Sequence, residues 1–259
     1  MTAPAVRFER RGSIAVLTLD RPAARNAVNS AVAAALGAAL TRLDEDDDLH
    51  VGVITGAGPV FCAGADLKAL AAGEPVHDPA HEEWGFAGIA HHPVRKPLIA
   101  AVEGAALGGG TEIALACDLV VAAEDARFGL PEVTRGLLAG AGGLVRLPRL
   151  VPPRAAMEAA LTGEPFSAAT AREWHLVNRL APNGRALDTA LELATRIAAN
   201  APLSVRAATA MVRAAAEGTA ADRLWRLNAE HCARLLSSRD AAEGMAAFAG
   251  RRAPVWHGR

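Results

Sequence analysis

Apolar residues recur along the chain with two different periods. Ser13-Ile-Ala-Val-Leu-Thr-Leu19 is a short β-rich run ended by Asp20-Arg21-Pro22 and reads as a strand. After it, Val32, Leu36, Leu40 and Leu43 fall on one face of a helix, with Ser30 as its expected cap. The acidic run Asp44 to Asp48 closes that helix as a solvated loop. Val51-Gly-Val-Ile-Thr55, bounded by Gly56 and Gly58, has the continuous apolar character of a buried strand. Pro97 to Val102 and Leu119 to Ala123 read as further strands. Strands alternating with helices predict an α/β fold with largely parallel pairing.

The second half changes period. Ser167 precedes a helical stretch to about Trp174. Leu187, Ala190, Leu191, Ala194 and Ile197 form an i, i+3, i+4 stripe that stops before Pro202. Pro202 can open the next helix, to about Glu217. Asp240 with Glu243 makes a capping-box-like start for a last helix. The expected organisation is an α/β core over 1–195 and a helical region over 196–259, both in one functional unit. The apolar faces of that helical region need covering, by the core or by another subunit.

Composition removes several function classes. In a chain of 259 residues, 27 Lys+Arg against 28 Asp+Glu leave a net charge of -1. With 51% hydrophobic residues, the chain is not disordered. No basic excess marks a nucleic-acid binder. The three cysteines, Cys62, Cys117 and Cys232, are widely spaced and form no CxxC motif, which fits a reducing compartment. Residues 1–12 hold three arginines and no apolar signal core, and the run Ala31 to Leu40 is about half of a bilayer span, so a cytoplasmic protein is expected. The histidines His77, His81, His91 and His92 cluster, but Asp78-Pro79 interrupts the helical face a metal pair would need. No metal is expected. Gly-x-Ser-x-Gly is absent, as are a P-loop Gly-Lys pair and a full dinucleotide fingerprint.

Three stretches carry candidate chemistry. In Gly104-Ala-Ala-Leu-Gly-Gly-Gly-Thr-Glu112, consecutive glycines at a helix start let a ligand approach backbone N–H groups closely. Glu112, three residues after Gly109, shares that side of the first turn. An amide donor and a carboxylate facing one small volume suit enolate chemistry, although a glutamate also simply favours a helix N-terminus. Phe61-Cys-Ala-Gly-Ala-Asp-Leu67 can turn a second N–H into the pocket, with Asp66 capping the next helix, or can be an ordinary strand-to-helix turn. In Phe128-Gly-Leu-Pro-Glu132, Pro131 can hold the Glu132 carboxylate rigidly, or Glu132 can be an exposed loop residue.

Together and in this order, these stretches resemble the crotonase superfamily, the enoyl-CoA hydratase/isomerase family. Cys117-Asp118, Gly140-Ala-Gly-Gly143, Leu161-Thr-Gly163, Glu173-Trp-His-Leu-Val-Asn178 and Gly244-Met-Ala-Ala-Phe248 extend the resemblance from about Ile14 to about Arg252. It implies a spiral of ββα units with a C-terminal helical trimerisation region, a homotrimer or a dimer of trimers, and an acyl-CoA thioester as substrate. It implies no separate cofactor, since coenzyme A is part of the substrate. The N–H groups of Ala65 and Gly109 would form an oxyanion hole, and Glu112 and Glu132 would be the catalytic carboxylates. Arg25, Ala27, Ala63, Asp66 and Leu67 would border the CoA path. Trp84 and Phe86 fall where the resemblance places a wall of the acyl pocket, or form an ordinary packed aromatic pair, and Pro131 and Gly140 would also contact the substrate. Glu103, Thr111 and Ala139 depart from the family pattern, where a small polar residue is common at the first and proline at the last.

The implied reaction is hydration of a 2-enoyl-CoA to a 3-hydroxyacyl-CoA. One carboxylate takes a proton from water as its oxygen attacks Cβ, and a carboxylic acid delivers a proton to Cα. Two N–H donors hold the charge on the thioester oxygen. The alternatives are a Δ3–Δ2-enoyl-CoA isomerase, a hydroxyacyl- or carnitinyl-CoA dehydratase, or a non-catalytic member that binds acyl-CoA or RNA.

Overall fold

The computed structural model describes residues 4–258. Strands β1 (Val6–Arg11), β2 (Ile14–Leu19), β3 (Val51–Gly56), β4 (Leu98–Val102), β6 (Leu119–Ala123) and β9 (Arg179–Ala181) form one sheet in the order β1-β2-β3-β4-β6-β9. Only β1 runs antiparallel to its neighbour; every later pair is parallel. A smaller sheet holds β5 (Ala105–Leu107), β7 (Arg127–Gly129) and β8 (Phe166–Ser167).

The chain visits the two sheets in turn. It leaves β4 for β5 and then helix α3 (Gly109–Ala116); it leaves β6 for β7 and then helices α4 (Gly143–Leu150) and α5 (Pro153–Thr162). The register of the small sheet runs Cys62↔Ala106↔Phe128↔Phe166, so the Cys62 turn after β3 is its first rung, ahead of helix α2 (Leu67–Ala71). This is the crotonase-like spiral of ββα units that the sequence implies.

Both faces of the large sheet are covered, which is why its strands are continuous apolar runs. Val51, Val53, Ile99, Ala101 and Val121 pack against Ala190 and Ala194 of helix α7 (Ala186–Ala198). Leu17, Ile54, Ala100, Val102 and Ala122 face the main core, which includes Leu36 and Leu40 of helix α1 (Ser30–Glu45). Helices α6 (Ala168–Glu173), α8 (Pro202–Ala216), α9 (Ala221–Leu236) and α10 (Arg239–Ala249) complete the chain. No helix of the described residues is long and apolar enough to cross a membrane.

Local details correct several expectations. Asn29, not Ser30, caps α1, accepting the Val32 N–H at 3.2 Å. The acidic run begins inside α1, and the buried Lys96 ammonium closes the helix by donating to the Leu43 and Asp46 carbonyls. The boundary at 195/196 falls within α7, which runs on to Ala198 as cover for the sheet. Ser238 caps α10, while Asp240 is buried and accepts the His257 and Gly258 N–H groups. The Glu103 carboxylate accepts the N–H groups of Gly184 and Ala186, so this departure from the family pattern caps α7.

Candidate active site

The site lies where the small sheet meets the N-terminus of α3. Across residues 62–66 almost every N–H is spent inside the protein. Cys62 donates to Ala105 O, Ala63 to Arg25 O, Gly64 to Cys62 Sγ and Asp66 to Val28 O. Within this stretch Ala65 is the exception, because pairing with Val28 uses its neighbours and turns its own N–H away. The opposing strand shows the same pattern. Leu107 donates to Cys62 O and Gly108 to Gly129 O, whereas Gly109, the first residue of α3, has no acceptor within its helix. Glycine is required where the two turns touch: a Cβ on Gly64 would stand 2.7 Å from Leu107 O and 3.0 Å from Gly109 N. Two free donors on apposed turns, one at a helix N-terminus, can hold an oxygen that gains negative charge.

Glu112 sits one turn into α3 and is 4% exposed. Its Oε1 accepts the Gly143 N–H at 2.8 Å. Burial lifts its carboxyl to about 7, and the charge of Glu132 adds to the rise; the Gly143 and Ala141 N–H groups and Arg146 oppose it. Glu132 stands on the 3-10 turn Pro131–Arg135, with Pro131 fixing that turn's first residue. Its Oε1 lies against Gly108, where a Cβ would approach to 2.8 Å. Its Oε2 is buried without a hydrogen-bond partner, and burial raises this carboxyl too. The two glutamates therefore flank the glycine run that carries the Gly109 N–H. Two raised, interacting carboxyls can hold and pass a proton between them.

The remaining candidates divide. Asp66 caps α2 by accepting the Lys68 and Ala69 N–H groups, and it pairs with Arg21 at 3.1 Å. Arg25 lies in the left-handed region, and its carbonyl holds Ala63. Ala27 is buried beside it and Leu67 is exposed. The Phe86 ring covers Gly109: a Cβ there would fall 2.2 Å from Phe86 Cζ, so a methyl at this position meets an aromatic wall. Trp84 is not brought to the site. It packs on Gly37 of α1 and stacks with His81 at 3.8 Å. Gly140 donates to Leu138 O; Gly143 of the same loop is the one that meets Glu112.

Sequence reasoning passed over two positioning residues. Asn26 is fully buried, accepts the Arg21 N–H and donates to Ala57 O and Val60 O, which locks the turns on either side of Ala63. Its signal was faint, a single Asn among alanines. Thr111 shares its hydroxyl proton between Ala106 O and Gly129 O and accepts the Gly129 N–H, stapling α3 to β5 and β7. Among the described residues no group of three His, Cys, Asp or Glu comes together as a metal-ligand set.

Known proteins resemble this chain along nearly its whole length. The family model for enoyl-CoA hydratase/isomerase matches residues 9–259. Carnitinyl-CoA dehydratase of Salmonella typhi is 42% identical over 255 residues, covering 96% of this chain and 97% of that protein. Among solved structures, an enoyl-CoA hydratase from Mycobacterium tuberculosis H37Rv superposes with a TM-score of 0.95 at 49% identity, over 99% of this chain and 100% of that one. A carnitinyl-CoA hydratase from Mycobacterium avium does so with a TM-score of 0.81 at 51% identity, covering both chains fully.

Proposed function

The chain belongs to the enoyl-CoA hydratase/isomerase family, and from that premise we propose that it hydrates a 2-enoyl-CoA thioester to the 3-hydroxyacyl-CoA. The observation that carries this reading is the pair of raised carboxyls, Glu112 and Glu132, flanking the free Gly109 and Ala65 N–H groups. The thioester oxygen accepts both N–H groups, so that charge arriving from Cβ attack is held as it forms. Water sits between the two carboxyl groups; the ionised one removes its proton as the water oxygen bonds to Cβ, the protonated one delivers a proton to Cα, and the roles reverse in dehydration. The unbonded Glu132 Oε2 supports this, because a buried carboxylate oxygen needs a partner that substrate or water supplies. The turns around Arg25, Ala27, Ala63, Asp66 and Leu67 border the CoA moiety, and Phe86, Pro131 and Gly140 the acyl group.

Dehydration of carnitinyl-CoA is the second reading, favoured by the relatives of that name. It uses the same carboxylates in reverse. The chain acts without a separate cofactor, as a homotrimer or dimer of trimers in the cytoplasm, where its three unpaired cysteines stay reduced.

A panel of 2-enoyl-CoA thioesters of increasing length, with carnitinyl-CoA beside them, tests both readings through gain or loss of conjugated-thioester absorbance. Glu112→Gln and Glu132→Gln should each lower kcat by about 10²–10⁴ while acyl-CoA still binds. Either variant keeping the wild-type rate removes that residue from the mechanism.

A further inference from the structure

Arg146 lies on the second turn of α4 and touches two walls of the site at once. Its guanidinium donates to Ala141 O at 3.2 Å and to Ala90 O. It also lies close to Gly142, whose φ of +109 no other residue adopts easily, and a Cβ there would fall 2.0 Å from Arg146 Nη1. Ala141 and Gly142 lead directly into Gly143, the donor to Glu112. Ala90 closes the turn that begins at Phe86, since its N–H donates to Phe86 O. Phe86 in turn covers Gly109. One half-buried cation thus links the loop that grips Glu112 to the turn that walls the donor helix.

We propose that Arg146 is a positioning residue of this reaction, clamping the Ala141–Gly143 loop to the Phe86–Ala90 turn so that the Gly143 N–H stays aimed at Glu112. The inference rests on the reading that Glu112 moves a proton. Among the described residues, no hydrogen bond joins Arg146 to the two free N–H donors or to Glu132. Its effect therefore passes through Glu112 and the loop. Glu112 is faced by Glu132 from the 3-10 turn, by Arg146 from α4, and by the Ala141 and Gly143 amides. Arg146 is faced in addition by Glu217, Cys117 and Arg149. Removing the cation that faces Glu112 raises its carboxyl further, and loosening the loop weakens the bond that favours its charged form.

The Gly143 amide reports both effects without any turnover. In protein labelled with ¹⁵N-glycine, its NMR shift in the wild type should follow pH with a midpoint of about 7. In Arg146→Met the midpoint should move upward and the pH-dependent change in shift should shrink. Arg146→Lys, which restores the charge but not the planar fork, should return the midpoint toward the wild type with a reduced amplitude. With crotonyl-CoA as probe, kcat in Arg146→Met should fall about 100-fold with KM little changed, the scale expected of a misaimed catalytic group. Where Met perturbs folding, Arg146→Gln takes the same measurements. A folded neutral variant whose Gly143 amide titrates as in the wild type overturns the proposal. If the wild-type protein hydrates no thioester, the functional reading fails, and the amide titration still decides the role of Arg146.

Discussion

At the scale of single residues, Glu112 shows what the site costs the fold. A carboxyl raised from 4.5 to about 7 holds its proton more tightly when folded than when unfolded. Its favourable contribution is therefore complete below pH 4.5 and is lost as pH rises to about 7. Glu112→Gln keeps an acceptor for the Gly143 N–H but carries no charge. Its melting temperature relative to the wild type should climb between pH 4.5 and about 7 and then level off, as thermal unfolding across that range would show. A pH-independent difference would mean that the Glu112 carboxyl ionises alike in the folded and unfolded chain and is not raised by burial. The identity of both glutamates was legible in the sequence because the motif strings name them. Their raised carboxyls were not, because burial is a property of the packed neighbours.

At the scale of elements, the start of α3 depends on Thr111. Its hydroxyl joins β5, β7 and the helix, and it satisfies the buried Gly129 N–H. Thr111→Val preserves shape but leaves that N–H unpaired, so unfolding free energy should fall by about 1–3 kcal/mol in a denaturant titration. Thr111 departs from the family pattern in a way that the sequence could register but not explain. The buried strands β2, β3, β4 and β6 were legible because both of their faces are covered, which leaves a continuous apolar run. Strand β1 was not: as an antiparallel edge strand of sequence VRFERR it is mostly polar and exposed. Helix α9 escaped for a related reason, since no residue of it is buried within the chain.

At the scale of the whole molecule, the C-terminal helices leave large apolar side chains in solvent. Trp225 is 73% exposed and Phe248 89% exposed. Exposed aromatics on amphipathic helices argue for a second copy of the chain against them. Light scattering should give three or six times the mass of one chain at micromolar concentration, and Phe248→Glu should weaken that association. A monomeric wild type would end the trimer proposal. The sequence by itself determined the α/β class, the positions of strands β2, β3, β4 and β6, the helix starts at Ser167 and Pro202, and the residue types of the site. These follow from periodicity, proline and glycine chemistry and side-chain identity, all of which are local. Only the tertiary structure decided how the neighbours of Ala65 and Gly109 spend their N–H groups, that Phe86 reaches Gly109 while Trp84 turns to α1, and that Gly143 holds Glu112. Each of these depends on segments far apart in the chain meeting across the two sheets, and no local pattern specifies such a meeting.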